Sequence, residues 1–479
     1  MTLRQKTLSG FKWSFIDSFA SQGIHFVIGI ILARLLVPKD FGLMGMLAIF
    51  IAISQSFIDS GFSQALIRKQ NCRQVDFNTV FYFNLLVGIV FYLLLFLGAG
   101  LIAGFFNEPK LFSLVRILGL VLVINSFGLI QRTIITKEID FKLKTKISLV
   151  ASLISGAIGI GMALNGFGVW SLACKTIANQ FASTVLFWLW NKWRPTKAFS
   201  VRAFKEMFGF GSKLLASGII DTTYQNIYSL IIGKYFSVTD LGYYLKADEF
   251  NKIPSQNLHG IIGRVSYPTL STLQDETAKL KSAYKKLIQT TMYVTFILMI
   301  GLAATANKII HVLIGDSWLP VVPYLQLLCF VGMMYPLQAL NLNMLMVKGR
   351  SDLFLRLEVI KKILAIPTVV IGIIFGIKIM IAGMIVNSLI AYYVNSYWSG
   401  KLIGYSVKEQ IADICAPFVM AAGMGLIAFQ AGRIIKGGHL VVLISQVAIG
   451  GLTILVFSEL MKSKPYLEIK RIVLESIRR

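Results

Sequence analysis

The stretch ARLLVPKDFGLM (33–44) is echoed two hundred residues later by GKYFSVTDLGYY (233–244). Arg34 is answered by Lys234, Asp40 by Asp240 and Gly42 by Gly242. Each string closes one apolar segment, passes a short turn and opens the next. The Asp-aromatic/Leu-Gly piece reads as a helix start. A carboxylate caps, or sits favourably at, the positive end of a helix, and a glycine there lets another helix approach closely. One structural unit used twice is the expectation, and the composition says in what solvent.

Of the 479 residues, 56% are hydrophobic and only 14% charged, with a mean hydropathy of +0.71. Soluble proteins carry about 25% charged residues. Apolar runs of span length recur end to end, which predicts an all-α polytopic membrane protein, since each span needs roughly 20 apolar residues and must satisfy its own backbone hydrogen bonds. The alternating ten-residue pattern of a membrane β-barrel is absent.

Fourteen spans are expected, at 12–36, 41–67, 78–105, 111–131, 147–164, 166–191, 206–235, 239–268, 285–313, 319–347, 354–375, 377–399, 409–431 and 440–461. The expected organisation is a six-helix lobe in 1–192, a basic cytoplasmic linker in 193–205, a second six-helix lobe in 206–400, and two further helices with a basic tail in 401–479. The connections after the fourth span of each set also match in character, TKEIDFKLK (136–144) and VKGRSDLFLR (347–356). Six spans per unit is an even number, so the two copies share one orientation and are related by an axis along the membrane normal.

The net charge of +25 suggests nucleic acid in a soluble protein; here it has a membrane reading. With the N-terminus in the cytoplasm, basic residues crowd the cytoplasmic connections, while the opposite loops hold Lys39, Lys110, Lys378, Arg433 and Lys436. That bias supports an even span count with both termini inside. Residues 1–12 are polar and basic, and the first span looks retained. Three of the four cysteines, Cys174, Cys329 and Cys415, are read as packing residues in spans and Cys72 as a free thiol in a cytoplasmic loop, with no disulfide or zinc site implied.

Nine basic residues fall inside spans: Arg34, Arg116, Lys175, Lys213, Lys234, Lys246, Lys252, Arg264 and Lys308; the acids there are Asp17, Asp59, Asp221, Asp248, Glu249 and Asp413. Each charge at mid-bilayer costs at least ~2.5–3.5 kcal/mol, so these groups line a wet cavity or pair with one another. The eighth span is nearly half polar: Lys246, Glu249 and Lys252 share a helix face, His259 and Asn257 follow, and Pro254 removes a backbone hydrogen bond and is expected to kink it. The seventh adds Lys213, Asp221, Tyr224, Gln225, Asn226 and Tyr228. Substrate-binding candidates are therefore Lys175, Lys213, Lys234, Lys246, Lys252, Arg34, Arg116, Arg264, Gln225 and Asn226. Candidates for coupling to H⁺ or Na⁺ are Asp17, Asp59, Asp221 and Glu249. Against these stand plainer roles: Arg34 and Lys234 snorkelling at span ends, Lys246 and Glu249 neutralising each other, lone aspartates bonding backbone or serine, and His25 and His259 as packed polar residues. Walker, GxSxG, HExxH and dinucleotide motifs are absent, and the longest connection has about 15 residues. No catalytic residue, metal or cofactor is expected.

The string LARLLVPKDFGLMGMLAIF with DSGFSQALIRKQ resembles the opening of bacterial polysaccharide-export flippases of the Wzx type, in the colanic-acid exporter subgroup of the multidrug/oligosaccharidyl-lipid/polysaccharide superfamily. Further matches run in order: VFYFNLLVG (80–88), FFNEPKLFSLVRILGL (105–120), LIQRTIITKEIDFK (129–142), GFGVWSL (166–172), IIGKYFSVTDLGYYLKA (231–247), RVSYPTLSTLQDE (264–276) and IGDSWLPVVPYLQLL (314–328). The resemblance covers roughly residues 5–350. It implies two six-helix lobes, alternating access, a cationic interior, and undecaprenyl pyrophosphate carrying an oligosaccharide repeat unit as substrate, moved from the cytoplasmic to the periplasmic leaflet of the bacterial inner membrane for O-antigen, capsule or exopolysaccharide synthesis. A polysaccharide polymerase and a chain-length regulator are the partners it implies. Fourteen spans depart from the usual twelve; the last two are expected as a peripheral addition, as in lipid II flippases. An ion-coupled multidrug or metabolite antiporter and a lipid II flippase are the alternatives on the same scaffold. The antiporter predicts an acidic cavity, against nine basic and six acidic interior residues here. A membrane enzyme predicts a large external loop that this chain lacks.

Overall fold

The computed structural model describes the backbone of residues 3–477, with side chains outside 3–12, 14–19, 256–265, 472, 473, 476 and 477. The described residues form helices and no strand. They are α1 (Leu3–Leu35), α2 (Pro38–Asp59), α3 (Phe62–Arg68), α4 (Gln74–Phe106), α5 (Lys110–Leu118), α6 (Leu120–Lys137), α7 (Phe141–Leu164), α8 (Val169–Trp190) and α9 (Val201–Tyr235). There follow α10 (Val238–Ser271), α11 (Thr277–Ile314), a 3-10 turn (Asp316–Trp318), α12 (Val321–Val347), α13 (Ser351–Phe375), α14 (Ile377–Ile403), α15 (Val407–Ile434), α16 (His439–Leu460) and α17 (Lys464–Ile477).

Each of the fourteen expected segments falls on helix. Nine are long and apolar enough among the described residues to cross a membrane: α2–α3, α4, α5–α6, α7, α11, α12, α14, α15 and α16. Of the helices outside that set, α1, α8, α9 and α10 carry Arg34, Lys175, Lys213, Lys234, Lys246 and Lys252. The protein exterior is apolar: Leu97, Leu101, Ile434 and Leu460 are each more than 70% exposed. Water would penalise such a surface and a bilayer welcomes it. The chain is a multi-pass membrane protein.

Packing divides the chain into two compact units, Met1–Gly242 and Tyr243–Arg479. In the first, α7 packs on α1 and α8, α6 on α4 and α8, and α9 on α2. Its core holds Phe62, Leu66, Val80, Phe81, Ile130 and Met207, with Trp188, Trp193 and Phe204 against it. In the second, α11 is the hub for α12, α15, α16 and α17, and α14 packs on α12 and α13. The last two span-length helices thus pack closely on α11. Helix α10 runs unbroken through Pro254 and Pro268. All four cysteines are free; Cys329 is buried, but Cys415 is exposed on α15 and so is not a packing residue.

The two opening strings take the same local form. After α1 and after α9 the chain makes a two-residue turn and re-enters helix at Pro38 and Val238. Inside the first unit these two helix starts cross at their glycines. A Cβ on Gly42 would lie 1.8 Å from the Val238 carbonyl oxygen, and one on Gly242 would lie 2.0 Å from that of Pro38. The contact is reciprocal and backbone to backbone, so only glycine fits either side. A second reciprocal pair, Gly61 and Gly211, brings the break between α2 and α3 against α9.

Candidate functional site

The polar interior of the first unit lies along α1, α7 and α8. The Ser21 and Ser148 hydroxyls are 2.8 Å apart, His25 Nε2 is 3.2 Å from Ser152 Oγ, and Asn179 Nδ2 donates to Ser155 Oγ at 3.1 Å. Such bonds hold helices together in lipid at ~0.6–2 kcal/mol each. His25 is therefore a packed, hydrogen-bonded group. Half-buried Lys175 stands on the same α8. Its stem passes Gly159, where an added Cβ would come within 2.9 Å of Lys175 Cβ, and its charge reaches His25.

Helix α9 presents Lys213, Asp221 and Gln225, all exposed. Their spacing of eight and four residues puts them on one broad helix face. Asn226, half-buried, donates to its own helix at Thr222 O, 2.8 Å, and Thr222 meets Ser56 of α2 at 3.2 Å. In the second unit Lys246 is 3% exposed, bonded to Glu249 at 2.7 Å and 5.8 Å from the ring centre of fully buried Trp318. Lys252 turns to Asp248, 2.5 Å away, and not to Glu249. The acid-before-base i,i+4 pair is the favoured helical order, so the three-residue spacing expected to unite Lys246, Glu249 and Lys252 resolves into two separate pairs.

Other candidates are committed to backbone groups or rings. Lys234 donates to the Phe105 carbonyl at 2.5 Å and lies 4.5 Å from its ring centre, where the end of α4 leaves carbonyls unsatisfied. Arg116 sits between Phe96 and Phe112, 4.3 and 3.9 Å from their centres, and its Nε donates to Phe96 O at 3.2 Å. Arg34 is exposed in the last turn of α1. Asp59 accepts from the Ser63 hydroxyl at 2.5 Å and backbone N–H at 3.3 Å, so it caps α3 across the Ser60–Gly61 break. Asp413 is held by Lys285, Gln289 and Tyr405 at 2.9, 2.9 and 2.6 Å, and Lys308 Nζ reaches His439 Nδ1 at 3.4 Å. Asp17 and Arg264, with His259 and Asn257, lie outside the described side chains.

Two features had no clear signal in the sequence. Asp240 sits in the first turn of its own helix as expected; its backbone N–H donates to Ser237 Oγ at 3.0 Å and its carboxylate accepts from the Ser237 hydroxyl at 2.6 Å. Asp40 accepts from the backbone N–H of Val37 at the start of its own helix, as expected, and also reaches across to α8, where it accepts from the backbone N–H of Val169. An apolar groove of about 470 Å³ runs between α6 and α8, lined by Val123, Phe127, Phe181 and Trp188, with Arg194 at its end. Both depend on which helices become neighbours.

Comparison with known proteins agrees with the architecture. The lipopolysaccharide biosynthesis protein WzxC of Escherichia coli (strain K12) is 28% identical over 91% of this chain and 90% of its own. The teichuronic acid biosynthesis protein TuaB of Bacillus subtilis (strain 168) is 27% identical over 89% of each. The fold matches that of the lipid II flippase MurJ in its inward closed conformation, at a TM-score of 0.76 and 15% identity over 94% of this chain and 98% of that one. A family described as polysaccharide biosynthesis protein matches residues 31–323. The chain belongs to that polysaccharide biosynthesis protein family.

Proposed function

We propose that the protein is a polysaccharide-export flippase, which moves an oligosaccharide repeat unit linked to undecaprenyl pyrophosphate from the cytoplasmic to the periplasmic leaflet by alternating access. The observation that carries this, beside family membership, is α9: a span-length helix with Lys213, Asp221 and Gln225 exposed on one broad face in a protein that also exposes many large apolar side chains. Charges in that position require water. A glycan and its pyrophosphate cannot cross hydrocarbon unaided; a wet, cationic path hides the sugars while Lys and Arg neutralise the phosphates.

In this reading Lys175, Lys213 and Lys252 contact the substrate, with Lys246, Lys234, Arg34, Arg116, Arg264, Gln225 and Asn226 along the path. Asp17, Asp59, Asp221 and Glu249 are the coupling candidates. Of these, Asp221 is favoured by its exposure on α9. All fourteen segments cross the inner membrane of a bacterium with both termini in the cytoplasm, the two sets of six (1–192 and 206–400) act as moving lobes, and the protein catalyses no covalent step. A polymerase and a chain-length regulator take over the delivered unit.

The test is complementation of a deletion strain with wild type and with Lys175→Ala, Lys213→Ala and Lys252→Ala, scoring surface polymer and cytoplasm-facing lipid-linked units at matched protein level. The reading expects wild type to restore polymer and the variants to accumulate lipid-linked units inside. Normal export by all three variants would remove these lysines from the path. Restored peptidoglycan synthesis in a strain lacking its lipid II flippase, without effect on polymer, would favour the lipid II alternative, and altered drug resistance alone the antiporter.

A further inference from the structure

The first unit carries a pocket of about 300 Å³ where α2, α5 and α8 begin. Asp40 enters it from α2, Lys110 and Ser113 from α5, Phe167 and Gly168 from the turn into α8, and Trp170 from the first turn of α8. None of these residues belongs to the path described above. Gly168 has φ 54° and ψ −129°, a backbone that side-chain-bearing residues rarely adopt. It folds the turn down over Asp40, whose Oδ1 would be 3.6 Å from a Cβ at Gly168. The Asp40 carboxylate is oriented by the Val37 and Val169 N–H groups and keeps further acceptor sites. The ammonium of Lys110 is close enough to act on it electrostatically. The Lys39–Glu108 pair, at 3.4 Å, lies beside it in the sequence of the same two turns.

The lining sets the ligand class. One carboxylate and one ammonium leave no charge preference, so a lone phosphate would meet Asp40 and a lone cation would meet Lys110. Among the described residues no three His, Cys, Asp or Glu converge on a metal site. Two aromatic faces, an acceptor, a donor and a hydroxyl suit a molecule that is apolar on one face and hydroxyl-rich at its rim, and the volume is at the small end of ligand pockets. We infer that this pocket is a saccharide subsite that takes one pyranose ring, stacked on Trp170 or Phe167 with its hydroxyls bonded to Asp40, Lys110 and Ser113. Its role in docking the glycan head of the cargo rests on the flippase reading; its binding of sugar does not.

The experiment is saturation-transfer NMR on the full-length protein in detergent, with methyl α-D-glucopyranoside and methyl β-D-galactopyranoside as probes. Transfer to ring protons is expected in wild type. Loss of the aromatic face in Trp170→Ala should weaken binding roughly two- to tenfold, Trp170→Phe should restore much of it, and exposed Lys110→Ala, which threatens no core packing, should weaken it as well. Melting temperatures equal to wild type exclude misfolding. No transfer with either probe, or transfer unchanged in both Trp170→Ala and Lys110→Ala, overturns the site. The same variants are then assayed for export. Lost sugar binding with unchanged export overturns the docking role, while sugar binding by a wild type that has no effect on polymer overturns the flippase reading and leaves the sugar site standing.

Discussion

The crossing of Gly42 and Gly242 allows a quantitative forecast for a single methyl group. Alanine at Gly42 places its Cβ 1.8 Å from the Val238 carbonyl oxygen. An ordinary carbon–oxygen contact is ~3.3–3.6 Å, so the two helix starts must part by roughly 1.5 Å. Backbone faces the methyl, so no flexible side chain can move aside. Overpacking of this kind costs about 1–3 kcal/mol. Because the contact exists only while the starts of α2 and α10 are crossed, the penalty falls on that arrangement alone and shifts its equilibrium with an uncrossed one about 5- to 150-fold. Alanine at Gly242 meets Pro38 O at 2.0 Å and should act in the same direction. One separation relieves both clashes, so the double variant should cost less than the sum of the two.

The assay is labelling of Val37→Cys and Ser237→Cys, each in a background without native cysteines, by a membrane-impermeant maleimide, read with and without the alanines. Faster labelling is expected in each alanine variant, with export slowed wherever the cycle needs the crossing to close. Gly98→Ala, where an added Cβ meets nothing within 4 Å, is the control and should leave labelling unchanged. If Gly42→Ala and Gly242→Ala label, melt and export as wild type does, the two helix starts are not held together as described.

Three further outcomes are expected. Glu249→Gln removes the carboxylate bonded at 2.7 Å to buried Lys246 and should destabilise the second unit by up to the ~1.5–3 kcal/mol of a charged hydrogen bond, less in proportion to the 41% exposure of the Glu249 side chain; the double variant Lys246→Met/Glu249→Gln should recover much of the loss on thermal melting. Lys137 donates to the carbonyls of Leu66 and Lys69, which also accept from Cys72 Sγ, and lies 3.1 Å from that sulfur, so Lys137→Met should cost about 0.5–1.5 kcal/mol of stability per lost bond, read as a lower melting temperature, and speed alkylation of Cys72. Lys69 is partly desolvated, which lowers its pKa, but hydrogen bonds to Glu206 and Asp76 at 3.0 and 3.3 Å outweigh this and raise it above 10.5. A lysine raised on folding contributes stability that is complete below its unfolded pKa and is lost as pH climbs through the folded one. Melting should therefore fall above about pH 10.5 in wild type and more shallowly in Lys69→Met; identical slopes would refute the assignment.

The helical class, the places of the segments and the repeat were legible because they are properties of consecutive residues. Twenty apolar side chains in a row declare a span whatever surrounds them, and Asp40 and Asp240 mark helix starts from their position in the strings alone. Local pairings were half legible. The Lys246–Glu249 bond is a helix-spacing fact and was foreseen as the plainer alternative, while the choice of Asp248 by Lys252 turned on i,i+4 geometry that competes with i,i+3 on the same helix. The polar character of α9 and α10 was equally plain, since a charge within a hydrophobic run is visible one residue at a time.

What remained closed was every contact between segments distant in sequence. Lys234 and Arg116 are legible as charges in spans, but their contacts with Phe105, Phe96 and Phe112 exist only once α9 and α5 lie beside α4. Asp40 reads as a cap for its own helix, and it does take the Val37 N–H there; that it also serves Val169 of α8 follows only from the α8 start coming to rest beside it. The two glycines of the opening strings signal close packing but not that they pack on each other. Periodicity reports which face of a helix is polar and how long the helix is. Which neighbour meets that face is settled by the joint packing of all the helices, and in a bilayer that choice rests on van der Waals fit and internal hydrogen bonds between surfaces, information that no single stretch of chain contains.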